Sequence, residues 1–253
     1  MDSLYANPKY YEIAFSYRDI PQEVKVMQEI INRYSHIPVE RVLEFGCGNS
    51  PHMEELLKLG YRYVGLDLSP EMLEYSRRKA KRLGHAVELI QADMVDFTLD
   101  DPVDFAYTML GSLYVQSTDE LISHFAAAHG ALRKGGLYLL DWCVDFAWLA
   151  DTKDSWVIEE EGIAVYVRHS TELLNFVEQT FRETIDLAID DNGTTHRLTQ
   201  TSTRRAIYPQ EFLLITGDAG FEFMGWWDNW DLNAPLTGEE EETSRPIAVL
   251  RAE

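Results

Sequence analysis

The fold is decided by one stretch of sequence, Val42-Leu43-Glu44-Phe45-Gly46-Cys47-Gly48-Asn49-Ser50-Pro51. Its first residues favour a β-strand and lead through the acidic Glu44 into a Gly-x-Gly turn. Gly46 and Gly48 permit a tight turn and a close approach of the backbone to a ligand, where a Cβ would clash. Ser50 is placed to cap a helix that Pro51 begins. A strand, a glycine turn and a helix N-terminus in this order are typical of a nucleotide-type pocket.

Composition narrows the class of protein. A chain of 253 residues with 45% apolar residues suits one large α/β domain, or one domain with a sizeable insertion. Two cysteines are too few for a disulfide framework, and the first five residues lack a secretion signal. No apolar run approaches the roughly 18 residues of a membrane span. We therefore expect a soluble, cytoplasmic protein with no membrane partner.

The charge of the chain bears on its partners. The formal net charge is −21 at pH 7. Binding of DNA or RNA requires a concentrated basic surface, because the phosphate backbone dominates the affinity. The composition therefore argues against a nucleic-acid partner and leaves a small molecule as the expected one.

The first part of the chain predicts alternating strands and helices. The expected strands are 41–45, 61–66, 86–91, 103–107 and 137–142, and the expected helices are 51–59, 70–83 and 118–132. The last of these helices is opened by the capping box Ser117-x-x-Glu120 and closed by Gly135 and Gly136. An aromatic-rich lead and one amphipathic helix beginning near Pro21 precede the alternation. Such alternation implies parallel strands joined by right-handed crossovers.

Residues 143–208 follow a different pattern. Strand-like segments occur at 157–158, 163–167, 176–189 and 197–208, and Asp190-Asp191-Asn192-Gly193 is a strong hairpin turn. From Pro209 the α/β pattern returns with a helix over 209–218 and strands over 221–227 and 246–251, beyond an acidic loop at 239–242. We therefore expect residues 1–142 and 209–253 to form one domain, into which 143–208 inserts an antiparallel β-sheet.

Ligands of open α/β sheets bind beyond the carboxyl ends of the strands, where the strand order reverses. The second strand ends at Asp67, whose carboxylate is suited to accept both hydroxyls of a ribose. The third ends at Asp93 and Met94, which suit an adenine amino group and ring. Gly111, after the fourth strand, lets the chain pass close to a ligand.

This set closely resembles the class I S-adenosylmethionine-dependent methyltransferases. Their glycine motif, (Asp/Glu)-x-Gly-x-Gly-x-Gly, matches residues 44–50 except that Ser50 replaces the third glycine. The resemblance implies a Rossmann-like α/β fold, with a seven-stranded sheet carrying helices on both faces. It also implies S-adenosyl-L-methionine as the cofactor. The cofactor-binding residues implied are Glu44, Gly46, Gly48, Asp67, Leu68, Met72, Ala92, Asp93, Met94 and Met109.

The resemblance extends to small-molecule N-methyltransferases, including those of amino sugars and of glycine, which roof the pocket with extra strands after the fifth strand. It implies that the insertion caps the substrate. Tyr11, Tyr17 and Tyr114 are the residues expected at the reaction centre, with Trp142 as a further wall. No metal site is expected. Methyl transfer to an amine is favoured over transfer to a hydroxyl, because a hydroxyl would benefit from a positioned base. The protein is expected to be a monomer or a homodimer.

Two alternatives stay open at this point. An NAD-dependent Rossmann oxidoreductase would need Gly-x-Gly-x-x-Gly, whereas Pro51 stands three residues beyond Gly48. A protein that binds the cofactor as a sensor or scaffold, without transferring the methyl group, would carry the same motifs. His52 is expected at a solvated helix start at least as readily as near the cofactor.

Overall fold

The computed structural model describes residues 3–148, 150–240 and 243–253. The larger of its two sheets contains β1 (Arg41–Phe45), β2 (Arg62–Asp67), β3 (Glu88–Gln91), β4 (Val103–Thr108), β5 (Leu132–Asp141), β10 (Phe221–Trp227) and β11 (Ile247–Ala252). The strand order is β10-β11-β5-β4-β1-β2-β3. Strand β11 runs antiparallel to β5 and β10, while the neighbouring pairs among β1 to β5 are parallel. The predicted seven-stranded α/β sheet is confirmed.

Helices cover both faces of this sheet. They are α2 (Ile20–Tyr34), α3 (Met53–Lys58), α4 (Pro70–Leu83), α5 (Thr118–Ala131) and α6 (Pro209–Asp218). A 3-10 helix at Leu4–Ala6 and helix α1 (Pro8–Ala14) precede them in the chain, and their described residues do not pack on this sheet. One core includes Phe125 of α5 and Phe212 of α6, and the other includes Met27 of α2 and Met53 of α3. Burial of these apolar faces holds the helices in place. In the described part of the chain, no helix combines the length and the apolarity that crossing a membrane requires.

The second sheet is antiparallel and has four strands. These are β6 (Thr152–Glu160), β7 (Ile163–Asn175), β8 (Thr180–Asp191) and β9 (Thr194–Arg205), in that spatial order. The predicted hairpin turn lies between β8 and β9, at Asn192 and Gly193. Leu4, Ile13 and Ala14 of the amino-terminal segment pack on one face of this sheet. We call that face the inner face.

The strand order reverses at β1, which lies between β2 and β4. Strands β2 and β3 lie on one side of it and β4 and β5 on the other, so the connections leave in opposite directions. This divergence opens a crevice beyond the carboxyl ends of β1 and β4, where open α/β sheets bind ligands. The glycine turn of residues 46–48 begins at this crevice, directly after β1.

Several predicted boundaries were wrong. The first helix after the glycine turn begins at Met53, and the Ser50 side chain does not cap it. Strand β5 begins at Leu132 rather than at residue 137. Leu132 pairs with Val103 of β4 and Leu137 with Phe105, so Gly135 and Gly136 lie in a register shift within the strand and do not end the helix. Strands β6 and β7 are longer than predicted, since polar residues that break the apolar pattern still pair with neighbouring strands. Strand β8 begins at Thr180 rather than at residue 176, and β9 spans Thr194–Arg205 rather than 197–208.

Two further differences concern the aromatic lead and Tyr208. The aromatic lead contains a helix of its own, α1, which the sequence pattern did not indicate. Tyr208, predicted to end a strand, is instead the N-cap of α6. Glu239 and Glu240 of the acidic loop are exposed, whereas Glu241 and Glu242 lie outside the described residues, as do residues 1, 2 and 149.

Candidate active site

A cavity of about 200 Å³ lies at the carboxyl ends of β1 and β4, beneath α1. It is lined by Tyr11, Glu12, Phe15, Ser16, Arg18, Ile20, Glu44, Gly46, Cys47, Gly48, Asn49, Pro51, Lys79, Met109, Leu110 and Ser112. Five of the predicted site residues are in this lining, namely Tyr11, Glu44, Gly46, Gly48 and Met109. The structure therefore brings the glycine turn, the end of β4 and the aromatic lead together around one space.

The glycine turn has the geometry of a close approach. Gly46 and Gly48 adopt φ values of 58° and 50°, in the left-handed region that favours glycine. A Cβ on Gly46 would lie 3.3 Å from Met94 Cε and from Ser112 Cβ. The turn therefore packs closely against Met94 and Ser112, and its two glycines add backbone without a side chain to the cavity lining.

Asp67 fixes the position of this turn. Its Oδ2 accepts a hydrogen bond from the Gly48 N–H at 2.7 Å, and its Oδ1 accepts one from the Ser69 N–H at 2.8 Å. Burial raises the pKa of the Asp67 carboxyl, and these backbone hydrogen bonds oppose the rise. The predicted ribose acceptor is thus also the link between β2 and the glycine turn.

The other residues predicted for the adenosine end are less closely gathered. Leu68 is exposed, Met72 is buried within α4, and Asp93 is exposed and accepts a hydrogen bond from the Val95 N–H at 2.9 Å. The Ala92 N–H donates to the Asp67 carbonyl at 3.2 Å. These four residues lie at or beyond the ends of β2 and β3, outside the lining of the cavity.

Glu44 belongs to a buried polar network that the sequence reasoning missed. Its carboxylate accepts hydrogen bonds from the hydroxyls of Tyr63 and Tyr107, and its Oε1 lies 3.4 Å from His52 Nδ1. His52 is fully buried, with Nε2 2.8 Å from Glu23 Oε2. The expectation of a solvated His52 was wrong, because the ring sits between two carboxylates from different elements.

The network continues from Glu23 to the far side of the cavity. Arg18 and Arg245 both donate to the Glu23 carboxylate, the latter at 2.7 Å. Burial by itself would raise the pKa of Glu23, but hydrogen bonds from His52 and the two guanidinium groups hold it far below its usual range. Arg245 also makes a bidentate contact with Asp141, at 2.8 and 2.6 Å.

Asp141 connects this network to the loop after β4. It is fully buried and accepts hydrogen bonds from the Leu110 N–H at 2.8 Å and from Trp230 Nε1 at 2.9 Å. Leu110 has a φ of 51° and lines the cavity. The buried charges therefore hold a strained cavity-lining residue in place.

Helix α1 is attached to the glycine turn and to α4 through Glu12. The carboxylate of Glu12 accepts hydrogen bonds from the Tyr75 hydroxyl, from Lys79 Nζ at 3.0 Å and from Asn49 Nδ2 at 3.2 Å. These donors come from two elements distant in sequence from α1. They hold the aromatic lead over the cavity, with Tyr11 and Phe15 in its wall.

The predicted catalytic tyrosines occupy different positions. Tyr11 lines the cavity, whereas Tyr17 is 54% exposed and Trp142 is 52% exposed. Tyr114 donates a hydrogen bond to Glu183 Oε2 at 2.8 Å and lies 3.5 Å from the Tyr5 hydroxyl. Tyr114 therefore joins the aromatic lead to the second sheet.

Glu183 is the centre of a polar cluster on the inner face of the second sheet. It accepts hydrogen bonds from Tyr114, from Arg204 Nη1 at 2.9 Å and from His169 Nε2 at 3.1 Å. Arg204 also donates to the Gly111 carbonyl at 2.5 Å, and its guanidinium lies over the Tyr114 ring. Sequence reasoning missed Glu183 and Arg204, since nothing local marks an acid and a base on adjacent strands as partners.

The pKa of Glu183 predicts a pH dependence of stability. Burial opposes ionisation, but Arg204 and the hydrogen bonds from His169 and Tyr114 lower the pKa from 4.5 to about 2. A lowered folded-state pKa contributes stability that is present above the unfolded value and is lost as the pH falls towards the folded one. We expect Glu183→Gln to cost about 2 kcal/mol of unfolding free energy at pH 7. The cost should be equal at pH 5.5 and smaller at pH 3, as measured by urea denaturation. A cost that grows as the pH falls would contradict this.

Comparison with known proteins agrees with this geometry. Residues 42–136 match the family described as a methyltransferase domain. Over 119 residues the chain is 34% identical to a dTDP-3-amino-3,4,6-trideoxy-alpha-D-glucopyranose N,N-dimethyltransferase of Streptomyces venezuelae, covering 46% of each chain. The chain spans about half the length of the curated relatives that it matches.

Solved structures share the whole fold. A methyltransferase of Clostridium acetobutylicum superposes with a TM-score of 0.78 at 16% identity, covering 96% of each chain. An S-adenosylmethionine-bound amino pentose methyltransferase of Micromonospora echinaspora superposes with a TM-score of 0.74 at 20% identity, again over 96% of each chain. The predicted resemblance and the predicted fold are both confirmed.

Proposed function

Because residues 42–136 form a methyltransferase domain and the whole chain has the class I S-adenosylmethionine-dependent methyltransferase fold, we propose that it methylates a small-molecule amine. One observation carries the proposal. The glycine turn and the carboxylate of Glu44 line the same cavity, and Asp67 binds the back of that turn. This is the arrangement that a nucleoside with an amino-acid tail requires.

The residues present fit S-adenosylmethionine. The left-handed Gly46 and Gly48 line the cavity with backbone and no side chain. Glu44 would hold the cofactor's amino group, and Asp67 its ribose hydroxyls. Leu68, Met72, Ala92, Asp93, Met94 and Met109 complete the proposed binding set.

The bound cofactor supplies a methyl group that its sulfonium already activates. The chain must align the acceptor with this group, exclude water and allow the acceptor to lose a proton. Helix α1, held by Glu12, closes one side of the cavity against water. We propose that the hydroxyls of Tyr11, Tyr17 and Tyr114 orient the acceptor nitrogen. Its lone pair would form the new N–C bond to the methyl group, and the surplus proton of the methylated ammonium would then pass to bulk water.

Three features support an amine acceptor. His52, the histidine nearest the glycine turn, is enclosed by carboxylates rather than free to act as a base. An unprotonated amine needs no base before attack, unlike a hydroxyl. The Streptomyces venezuelae relative and the Micromonospora echinaspora structure are both named for amino-sugar methylation.

We further propose that the second sheet caps the acceptor, with residues 143–208 as a substrate subdomain within the domain formed by 1–142 and 209–253. Its inner face carries the Glu183 cluster close to Tyr114. The proposed setting is the cytoplasm, and the proposed assembly a monomer or homodimer. A net charge of −21 supports small molecules rather than nucleic acids as partners.

A substitution of Tyr114 tests the proposed function. Formation of S-adenosylhomocysteine is measured for a panel of amines and alcohols. We expect turnover with amines, and for Tyr114→Phe we expect kcat/KM to fall about tenfold, because one orienting hydrogen bond of about 1.4 kcal/mol is lost. The cofactor Kd should stay within about twofold, a negligible free-energy change.

The matched control is Tyr166→Phe, which removes a hydroxyl from an exposed tyrosine on the same sheet and should change neither constant. Cofactor binding without transfer to any acceptor would favour a sensor or scaffold. Tight binding of NAD in place of S-adenosylmethionine would contradict the proposal altogether.

A further inference from the structure

We propose that the acceptor of this chain is an amine that carries no phosphate group, and not a nucleotide-linked amine. The inference rests on the proposed function and specifies its substrate class. It follows from the charges that surround the cavity and from the polar end of the second sheet.

The inner face of the second sheet is apolar at one end and polar at the other. Its apolar part, beneath α1 and the 3-10 helix, is formed by Ile163, Val165, Val167, Ile185, Leu187, Ile189 and Leu198. Side chains alternate between the two faces of a strand, so His169, Glu183 and Arg204 continue the same face. His169 is 29% exposed, whereas the Glu183 and Arg204 side chains are 9% and 14% exposed, so solvent reaches this polar end at the His169 ring. The polar end thus forms a roof beside Tyr114 that is accessible at His169.

The cations near this space are already paired. Four cationic side chains stand at the cavity, in the network beside it or on the polar end of the roof, namely Arg18, Lys79, Arg204 and Arg245. They bind the carboxylates of Glu23, Glu12, Glu183 and Asp141, respectively. Each cation in this part of the described chain therefore has an anionic partner within the protein.

Two further carboxylates stand at the glycine turn, that of Glu44 in the cavity lining and that of Asp67 outside it. Glu44 is bound by tyrosine hydroxyls and His52, and Asp67 by backbone N–H groups, with no ion pair to lysine or arginine among the described residues. Proteins recognise phosphate through arginine or lysine with free donors. A diphosphate entering here would meet paired cations and uncompensated carboxylates, and like charges across an interface repel.

The fixed position of Arg204 strengthens this conclusion. Its Nη1 binds Glu183, its Nη2 binds the Gly111 carbonyl and its guanidinium stacks over Tyr114, so these two donors cannot turn to a ligand without breaking their contacts. Its Nε has no hydrogen-bond partner among the described residues but is buried, away from an entering ligand. By contrast, a neutral or cationic amine with hydroxyl groups would find acceptors in Glu183 and in the tyrosine hydroxyls. The geometry suits an amine such as a free or glycosidic amino sugar.

The test is calorimetric titration with thymidine diphosphate and with pyrophosphate. Binding of S-adenosylhomocysteine is measured first, and its absence would refute the proposed function alone. The diphosphates are then titrated into both the loaded and the unloaded protein. We expect no saturable binding below about 1 mM, whereas a tighter Kd for either diphosphate would overturn the inference.

A charge-removing variant sharpens the test. Glu183→Gln frees the Arg204 guanidinium from its counter-charge and should bring diphosphate binding into the measurable range, with a Kd below about 1 mM. The control is Glu172→Gln, which removes the partner of Arg182 from an exposed ion pair on the same sheet and should change nothing. A folded Glu183→Gln protein with no gain would overturn the role given to this ion pair, and circular dichroism establishes the folded state. The wild-type titration needs no variant and tests the exclusion of phosphate groups by itself.

Discussion

Replacement of Asp67 by alanine is expected to weaken S-adenosylmethionine binding about 100-fold, because the free-energy loss of about 3 kcal/mol has two sources. The variant loses the proposed acceptor of the ribose hydroxyls. It also leaves the N–H groups of Gly48 and Ser69 without the carboxylate that they bind at 2.7 and 2.8 Å. The glycine turn would then lose the contact that fixes it to β2.

Isothermal calorimetry measures this effect directly. The matched control is Asp96→Ala, an exposed aspartate beyond the end of β3, which should bind the cofactor as the wild type does. Asp67→Asn keeps the shape of the side chain and one carbonyl acceptor, so it should lie between the two. Unchanged affinity in folded Asp67→Ala would contradict both the ribose contact and the role of Asp67 in positioning the turn.

Replacement of Arg245 by methionine is expected to lower the stability of the fold by about 3–5 kcal/mol. Arg245 is the cation shared by Asp141, which is fully buried, and Glu23, which is nearly so. Removing one partner of a buried ion pair leaves the other charges desolvated and uncompensated. The shape of the cavity should also change, because Asp141 accepts a hydrogen bond from the N–H of Leu110, which lines the cavity.

Chemical denaturation measures this loss, provided that the dependence of the unfolding free energy on denaturant concentration is the same for the variant and the wild type. The control, Arg182→Met, breaks the exposed pair with Glu172, whose side chain is 60% exposed, and should cost at most about 1 kcal/mol. Equal costs for the two variants would show that the network beside the cavity adds no more than a surface ion pair does. A second substitution, Glu23→Gln, should destabilise less than Arg245→Met, because an amide still accepts hydrogen bonds from Arg18.

Much of the architecture could be predicted because it follows from local sequence patterns. Strands β1 to β4 and helix α4 fall within a few residues of their predicted bounds, since each has an apolar period and a start or stop signal. Ser69 caps α4 through the Met72 N–H, as its position before Pro70 indicates. By contrast, the helix in the aromatic lead was missed, because its stability comes from packing on the second sheet rather than from its own pattern.

The candidate site divides in the same way. Gly46, Gly48 and Glu44 were identifiable because a ligand-binding turn needs particular residues at fixed spacing. The partners of His52 were not, since Glu23 precedes it by 29 residues on another helix. Glu183 and Arg204 were equally hidden, because their pairing depends on the register of β8 and β9 and on the approach of Tyr114.

The sequence by itself determined the class of fold and the kind of turn at residues 42–51, because the backbone conformations of glycine and the apolar periods of strands and helices are local properties. Only the tertiary structure decided which charges meet around the cavity. Lys79, Arg204 and Arg245 each find a carboxylate from another element there. Ion pairing depends on distances of a few ångströms between groups far apart in the chain, and only the folded chain sets those distances.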